Sequence, residues 1–222
     1  MTGREAKDAL YEQFARIAKG VAHPKRIEIL ELLAQAERGV NALAEATDMG
    51  MTATSSHLQV LRQSRLVETR RMGTRVLYRL ADDEVARFVL ALRDVARARL
   101  TEVEAVARDY FAARDELEPV SREELLVRAK TGDVVILDVR PPEEFAAAHI
   151  PGAISAPLGD LAARVRRLPK GADVVAYCRG PYCVLAPEAV ELLRRKGFRA
   201  RRLEEGMPEW RLAGLPVAVG ED

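Results

Sequence analysis

The first half of the chain places its apolar residues at helical spacing. In "DALYEQFARIA" they fall at Leu10, Phe14, Ile17 and Ala18, which are positions i, i+4, i+7 and i+8 of an amphipathic helix. "HPKRIEILELLAQA" repeats the pattern, with Pro24 at a first helical position, where no backbone N–H is needed. These two segments predict two amphipathic helices.

Two further short helices and a hairpin follow. "NALAEAT" and "MTATSSHLQVLRQS" predict helices capped by Asn41 and Thr52. "LVETRR" and "RVLYRLA" are joined by "MGT", which predicts a β-hairpin with Gly73 at its tip. Short helices followed by a hairpin are the order of a winged helix-turn-helix, in which the helix before the wing enters the major groove of DNA.

A long helix is predicted after the hairpin, from Asp82 to about Leu117, because the apolar residues keep a spacing of three or four. About 30 helical residues span about 45 Å. A domain this small does not cover such a length alone. We therefore expect part of the apolar seam to meet a second copy in a homodimer.

The second half has a different pattern. Ser121 and Glu124 form a capping box that opens a short helix. "DVVILDV" and "DVVAY" are continuous apolar runs, typical of strands buried on both faces, and helical segments alternate with them. The sequence thus predicts a multidomain chain: a mainly-α winged helix-turn-helix over 1–117 and an α/β parallel sheet with helices on both faces over 118–222.

Composition and the lack of long apolar runs indicate where in the cell the protein is expected. The 222 residues are 48% hydrophobic and 31% charged, with a net charge of +1 and two cysteines. The N-terminal segment lacks the apolar region of a signal peptide, and no apolar run is long enough to span a bilayer. We expect a cytoplasmic protein with reduced thiols and no membrane partner.

Charge is concentrated around the predicted wing. Six arginines and a single acidic residue, Glu68, lie between Met51 and Arg79. Such an excess predicts a phosphate-binding face. The expected DNA contacts are the exposed polar side chains of the helix before the wing and the arginines that follow: Thr52, Thr54, Ser55, Ser56, His57, Gln59, Arg62, Arg70, Arg71 and Arg75. The alternative is that His57 is a half-buried structural histidine and the arginines form a solvated face.

Four segments in this half resemble the ArsR-type winged-helix repressors, which are dimeric bacterial regulators. They are "HPKRIEILELL", "ALAEAT", "SSHLQVLRQSRLV" and "ETRRMGTRVLYRL", and the resemblance covers about residues 10–110. It implies double-stranded operator DNA and a homodimer. Many members bind metals or arsenite through cysteines on the helix before the recognition helix, or through His, Asp or Glu on the last helix. Here "VNALAEAT" has no cysteine and the long last helix has no histidine, so we expect no metal sensing by those routes.

Three segments of the second half resemble the rhodanese domain over about residues 119–220. They are "DVRPPEEFAAAHIPGAISAP", "VAYCRGPYCVLAPEAVELLRRKGF" and "LEEGMPEWRLAGLPV". By this resemblance Cys178 is the nucleophile that carries a persulfide, and Trp210 belongs to the core. The first rhodanese signature lies near the site or props up the sheet, and it contributes Asp138, Arg140, Glu144 and His149.

The loop "CRGPYC" is suited to sulfur chemistry. Cys178 follows a buried strand, at the edge where open α/β sheets expose their ligands. The next helix start and the loop N–H groups are expected to stabilise a thiolate there. Arg179 is expected to attract an anionic donor, and Gly180 to permit a positive φ in a tight cradle. Pro181 stiffens this loop, and Tyr182 lies in it.

Cys183 departs from the usual rhodanese loop and leaves three alternatives. A second thiol here can resolve a persulfide or sulfenate on Cys178, and a direct disulfide requires the two Cα atoms to lie within about 7 Å. It can instead be a small buried hydrophobe at the helix start. A metal pair is the third alternative, although no nearby Cys or His completes a tetrahedral site. No cofactor is implied.

These patterns favour a transcriptional regulator whose rhodanese-like domain senses sulfane sulfur, such as thiosulfate or polysulfide, or redox state. The alternatives are a sulfurtransferase in which the winged helix dimerises or tethers the chain, and an oxyanion sensor or reductase for arsenate.

Overall fold

The protein is described here from a computed structural model, which covers residues 1–112, 119–169 and 171–220. The chain forms two compact units, Met1–Leu92 and Arg93–Asp222. Its elements up to residue 112 are α1 (Gly3–Val21), α2 (Pro24–Gln35), β1 (Arg38–Gly39), α3 (Val40–Ala46), α4 (Met51–Gln63), β2 (Val67–Met72), β3 (Arg75–Leu80), α5 (Asp83–Arg99), α6 (Thr101–Ala107) and a π-helical segment (Arg108–Ala112).

The first unit is a winged helix-turn-helix, as predicted. Helix α4 buries Leu58 and Leu61 in the same core as Ile29 and Leu43, because residues three apart share one helix face. Strands β2 and β3 form the predicted hairpin, and Gly73 takes the positive φ of 60° at its tip. The short strand β1 adds a third, unpredicted strand and gives the sheet order β1-β3-β2.

Two predicted helix caps are wrong. Helix α3 begins after Gly39 and helix α4 after Gly50, so Asn41 and Thr52 lie inside the helices rather than at the N-cap. Both glycines have extended backbones with ψ of 162° and 150° and make no side-chain cap hydrogen bond. Glycine is a tolerated N-cap, and here it starts each helix earlier than the polar residues indicate.

The predicted long helix is interrupted. Leu100 has φ of −112° and ψ of 106°, so its extended backbone ends α5, and α6 begins at Thr101. Helix α6 contains no fully buried residue, although Val103 and Ala107 are half-buried. The prediction of one continuous helix from Asp82 is therefore wrong. Its expected end at Leu117 and the expected boundary between residues 117 and 118 lie outside the described residues.

The second unit contains the predicted parallel sheet. Its later elements are α7 (Arg122–Thr131), β4 (Val135–Asp138), α8 (Pro142–Ala147), β5 (Ile154–Ser155), α9 (Leu161–Arg164), a 3-10 turn (Val165–Arg167), β6 (Asp173–Tyr177), α10 (Leu185–Arg195), β7 (Arg199–Arg202) and α11 (Met207–Leu212). The strand order is β5-β4-β6-β7, and all three pairings are parallel. Ser121 is the N-cap of α7 and accepts the Glu124 N–H at 3.1 Å, which is one half of the predicted capping box.

The central strands bury both faces of this sheet. Val174 and Ala176 of β6 face a core that includes Leu193 of α10. Val175 and Tyr177 face the opposite core, with residues of α7, α8 and α11. Successive side chains of a strand point to opposite faces, which explains why the sequence of β6 is apolar throughout.

A buried ion pair lies at the carboxyl edge of the sheet. Asp138, the last residue of β4, accepts hydrogen bonds from Arg140 at 2.6–3.2 Å, and neither side chain is exposed to solvent. Arg140 also donates to the Ala148 carbonyl at 2.7 Å and lies over the Tyr177 ring. The Tyr177 hydroxyl accepts the Ile150 N–H at 3.1 Å, and burial raises the pKa of this phenol. These contacts fix the end of β6, where the next loop begins, to the chain that follows β4.

The backbone after β7 lies directly against the loop from Cys178 to Cys183, here named the cysteine loop. A Cβ atom placed on Gly206 would lie 2.2 Å from the carbonyl carbon of Arg179 and 2.3 Å from the amide nitrogen of Gly180. The Met207 N–H also bonds to the Cys178 carbonyl at 3.2 Å. Only a residue without a side chain fits here.

In the described part of the chain, no helix combines the length and the apolar character that crossing a membrane requires.

We predict that Gly206→Ala lowers the free energy of unfolding of the second unit by about 1–3 kcal/mol, because the added methyl group clashes with rigid backbone. Thermal unfolding followed by the fluorescence of Trp210, the only tryptophan in the sequence, measures the loss. Gly159→Ala is the matched control, since its Cβ position has no neighbour within 4 Å. If Gly206→Ala were as stable as the parent chain, the backbone at Gly206 would not lie tightly against that of Arg179 and Gly180.

Candidate functional sites

The first candidate site is the outer face of α4. Thr52, Ser55, Ser56, Gln59 and Arg62 are exposed there, as the sequence predicts. Three of them, Ser55, Gln59 and Arg62, line a groove of about 460 Å³ together with Gln63 and Tyr78 of β3. Their spacing of four and three residues places them on one face of the helix.

Tyr78 is a groove residue that the sequence reasoning missed. It is half-buried in β3, opposite Thr69 of β2 and Arg38 of β1. The sequence feature that could have identified Tyr78 is its position in the second strand of the hairpin, because alternate residues of a strand face the same side.

Thr54 was expected to be exposed, and this is wrong. The residue is fully buried, and its hydroxyl donates to the Gly50 carbonyl at 3.1 Å. It precedes Leu58 by four residues and therefore shares the inward face of α4. Its side chain is therefore not accessible to a DNA base.

His57 is half-buried against His23, with ring centroids 4.4 Å apart. The Nδ1 atom of His23 accepts the Lys25 N–H and so caps α2. Burial, and next the charges of His23 and Arg26, lower the pKa of His57. This contact corresponds to the structural alternative for His57, and the lowered pKa favours its neutral form at neutral pH.

Two arginines of the hairpin form ion pairs within the first unit, and two others are exposed. Arg70 donates two hydrogen bonds to Glu37 at 2.5 and 2.9 Å, and this bond raises the pKa of the guanidinium. Arg79 pairs with Glu68 at 2.8 Å. Arg71 and Arg75 are exposed near the hairpin tip, where phosphate contacts are most accessible.

The second candidate site is the cysteine loop, which follows β6 at the carboxyl edge of the sheet. A disulfide joins Cys178 and Cys183, and their Cα atoms lie 6.3 Å apart. This separation falls within the range that a disulfide can bridge. Both residues are buried in the same hydrophobic core as Ala186 and Ala189 of α10.

The loop geometry differs in part from the sequence expectation. Gly180 is not among the glycines with positive φ, so the expected left-handed backbone there is wrong. The Cys183 N–H bonds to the Gly180 carbonyl at 3.1 Å, which closes the loop with an ordinary turn that needs no positive φ at Gly180. The glycine that the site requires is Gly206, because the loop backbone packs against it.

Arg179 is held by a buried carboxylate. Its guanidinium donates to both oxygens of Glu144 at 2.7–3.1 Å, and Glu144 is fully buried while the Arg179 side chain is 21% exposed. The fork geometry fixes the guanidinium beside the loop, but its charge is already partly neutralised. Tyr182 is half-buried in the same loop.

The residues of the first rhodanese signature mainly make contacts that stabilise the fold. Asp138 and Arg140 form the buried pair described above. The Nδ1 atom of His149 lies 2.9 Å from the Phe145 carbonyl oxygen, its ring stacks on the Phe145 ring, and its backbone pairs with Ala218. Trp210 is buried, and its indole donates to the Pro216 carbonyl at 2.8 Å. These contacts hold the sheet and the neighbouring helices together.

The helix after the loop begins at Leu185, two residues beyond Cys183. The start of this helix therefore follows the second cysteine closely along the chain. Within the described residues, no group of three or more His, Cys, Asp or Glu side chains is arranged to hold a metal ion.

Comparison with known proteins identifies both halves. Residues 23–69 match the family model "Bacterial regulatory protein, arsR family", and residues 121–213 match "Rhodanese-like domain". The chain is 35% identical over 94 residues to a protein named "Sulfurtransferase" from Allochromatium vinosum, a match that covers 42% of this chain and 86% of that protein.

Two mycobacterial proteins are also similar. The solution structure of the homodimeric winged helix-turn-helix DNA-binding domain of Mb0332 from Mycobacterium bovis is 46% identical, covers 45% of this chain and 91% of that one, and has a TM-score of 0.42. The HTH-type transcriptional regulator Rv0324 of Mycobacterium tuberculosis is 48% identical over 216 residues, which are 97% of this chain and 95% of that protein. Because this similarity extends over both halves, the chain belongs to the ArsR family of bacterial transcriptional regulators and carries a C-terminal rhodanese-like domain.

Proposed function

We propose that this regulator senses sulfane sulfur or redox state through the reversible disulfide between Cys178 and Cys183. The observation that carries the proposal is the placement of the only two cysteines of the sequence at a bonding separation, at the ligand-binding edge of the sheet. In the reducing cytoplasm, where we place this protein, such a pair rests as a dithiol and oxidises on exposure to its signal.

The chemistry balances with thiosulfate as the donor. The Cys178 thiolate attacks the sulfane sulfur, the S–S bond of thiosulfate breaks, and sulfite leaves with its electron pair. Cys178 then carries a persulfide. The Cys183 thiolate attacks the Cys178 Sγ and forms the disulfide. The outer sulfur leaves with the electron pair of the broken S–S bond and takes a proton from water to become hydrosulfide. The two cysteines lose two electrons in total, and the sulfane sulfur gains them.

The output of the sensor is DNA binding by α4 and the hairpin. The groove residues Ser55, Gln59 and Arg62 have the donors and acceptors that read base edges. Arg71 and Arg75 provide exposed cations for the phosphate backbone. The proposed coupling is a difference in operator affinity between the dithiol and disulfide forms.

We predict that thiosulfate or polysulfide changes the affinity for duplex DNA from upstream of the protein's own gene by about 5–150-fold, the range of a coupling of about 1–3 kcal/mol. Anisotropy titrations of the reduced and treated protein measure the change. Intact-mass spectrometry of the same samples follows the chemistry, with a gain of about 32 Da for a persulfide and a loss of about 2 Da for a disulfide.

Two serine variants separate the steps. Cys178→Ser is expected to lose both the mass change and the response. Cys183→Ser is expected to accumulate the persulfide and to lose the disulfide-dependent response. An unchanged affinity after complete disulfide formation, or a full response in Cys178→Ser, would refute the sensor.

Sulfurtransferase activity is the second candidate function, and the 35% identity to a named sulfurtransferase favours it. In that case Cys178 passes its persulfide sulfur to an external acceptor, and resolution by Cys183 competes with the transfer. Cys183→Ser should then form thiocyanate from thiosulfate and cyanide faster than the parent chain. Absence of thiocyanate from both proteins would exclude this activity, whereas it would leave the sensor proposal intact.

A homodimer formed through α1 completes the proposed regulator. Leu10, Tyr11 and Phe14 are 57–63% exposed on this helix, and the rings of the last two lie 5.7 Å apart. An exposed apolar patch of this kind marks a protein interface. A symmetric dimer also presents two copies of α4 to two operator half-sites.

We predict that the double substitution Leu10→Glu with Phe14→Glu yields a monomer, because four charges would be placed in the proposed symmetric interface. Light scattering after size-exclusion chromatography measures the mass, and operator affinity should fall by more than tenfold. Val127→Glu changes a residue of α7 that is 64% exposed and serves as the control. A dimeric double variant would contradict an interface at α1.

A further inference from the structure

An ion pair that takes no part in the sulfur chemistry proposed above lies against the cysteine loop. Arg93 of α5 donates a hydrogen bond from Nη1 to Oε1 of Glu209 in α11. The Arg93 side chain is 26% exposed and that of Glu209 is 10% exposed. Both residues belong to the second unit, of which Arg93 is the first residue. Arg93 nevertheless lies outside residues 121–213, which match the rhodanese-like model, so a helix that is not part of that model supplies it.

Glu209 is held in place by the backbone next to the loop. Its Oε2 atom accepts the Gly206 N–H at 3.1 Å, and the Met207 N–H bonds to the Cys178 carbonyl at 3.2 Å. The carboxylate therefore belongs to the same turn of chain that is bonded to the backbone of Cys178. A change in its net charge acts on the loop from a fixed position.

The ion pair is close to the reactive cysteine. A Cβ atom placed on Gly180 would lie 3.6 Å from Nη1 of Arg93 and 3.6 Å from Oε1 of Glu209. Gly180 follows Cys178 by two residues, which span at most about 7 Å of chain. The two charges therefore lie on the order of 10 Å from the cysteine backbone, and solvent screens partly buried charges less than exposed ones.

The charges around the loop cancel in pairs. Arg93 compensates Glu209, and Arg179 compensates Glu144. Asp94 also lies 3.4 Å from Arg93, but its side chain is 65% exposed, so water screens its charge strongly. Loss of the arginine charge would leave the nearly buried carboxylate of Glu209 uncompensated beside the loop, whereas loss of the carboxylate charge would leave a cation there.

We propose that Arg93 and Glu209 together set the reactivity of the Cys178 thiol, so that a residue of α5 regulates the proposed sensor site. The inference rests on the function proposed above for the cysteine loop. A thiolate and a persulfide are anions, which a nearby positive charge favours and a nearby negative charge disfavours. Because the two charges cancel, the thiol of the parent chain reacts at an intermediate rate that either single change displaces.

The test compares three variants of the full chain, each in a Cys183→Ser background that leaves Cys178 as the only thiol. Intact-mass spectrometry at neutral pH measures initial rates of reaction with thiosulfate and with iodoacetamide, which is uncharged. Arg93→Gln should react at least about threefold more slowly than the background chain, Glu209→Gln at least about threefold faster, and the double variant at close to the background rate. Opposite signs that cancel identify charge as the cause, because disrupted packing would move both single variants in the same direction.

Two control variants accompany the test. Arg93→Lys keeps the positive charge and should react at nearly the background rate. Arg128→Gln removes an arginine that is 19% exposed and pairs with Asp173, the first residue of β6. About 17 Å of strand separates that pair from the cysteine loop, so its loss should leave the rate unchanged.

The outcomes separate this inference from the sensor proposal. Equal rates in Arg93→Gln and Glu209→Gln, or a change of the same sign in both, overturn the inference. A Cys178 thiol that neither reagent modifies also overturns it, because the ion pair would then have no reactivity to set. If iodoacetamide shows the expected order of rates but no persulfide forms, the sensor proposal fails and the inference stands. Persulfide formation at one rate in all variants has the opposite meaning.

Discussion

The buried pair of Asp138 and Arg140 is the interaction on which the carboxyl edge of the parallel sheet depends. It joins the end of β4 to the Ala148 carbonyl and, through the Tyr177 ring, to the end of β6. Removing one member of such a pair leaves an uncompensated buried charge, which costs about 3–5 kcal/mol. The cysteine loop begins one residue after Tyr177, so its starting point is set by this pair.

A second constraint acts from the other side of the loop. Gly206 brings the backbone after β7 against Arg179 and Gly180, and Glu144 holds the Arg179 side chain. The loop is therefore anchored at its first half by packing and an ion pair, and at its second half by the Cys183 N–H bond to Gly180. Changes at the two sulfur atoms occur in a segment whose surroundings are otherwise fixed.

The sequence predicted the features that arise from local pattern. Apolar runs identified β4 and β6, and the glycine of the "MGT" turn identified the hairpin tip, because periodicity and turn chemistry act over a few residues. Thr54 was predicted on the wrong face of α4, and neither the helix break at Leu100 nor the close approach at Gly206 was predicted. The burial of Thr54 and the approach at Gly206 depend on contacts between distant segments. A single sequence does not display such contacts. Pairing of Arg179 with Glu144, 35 residues apart, was missed for the same reason.

The short distance along the chain between the two cysteines has an energetic consequence. A crosslink stabilises a fold chiefly by restricting the unfolded chain, and the effect grows with the length of the closed loop. The separation of five residues closes a very small loop. In the chain-entropy model this is worth about 2 kcal/mol, compared with about 4.7 kcal/mol for a loop of 100 residues. Forming or breaking this bond is therefore expected to change the free energy of unfolding of the domain only modestly.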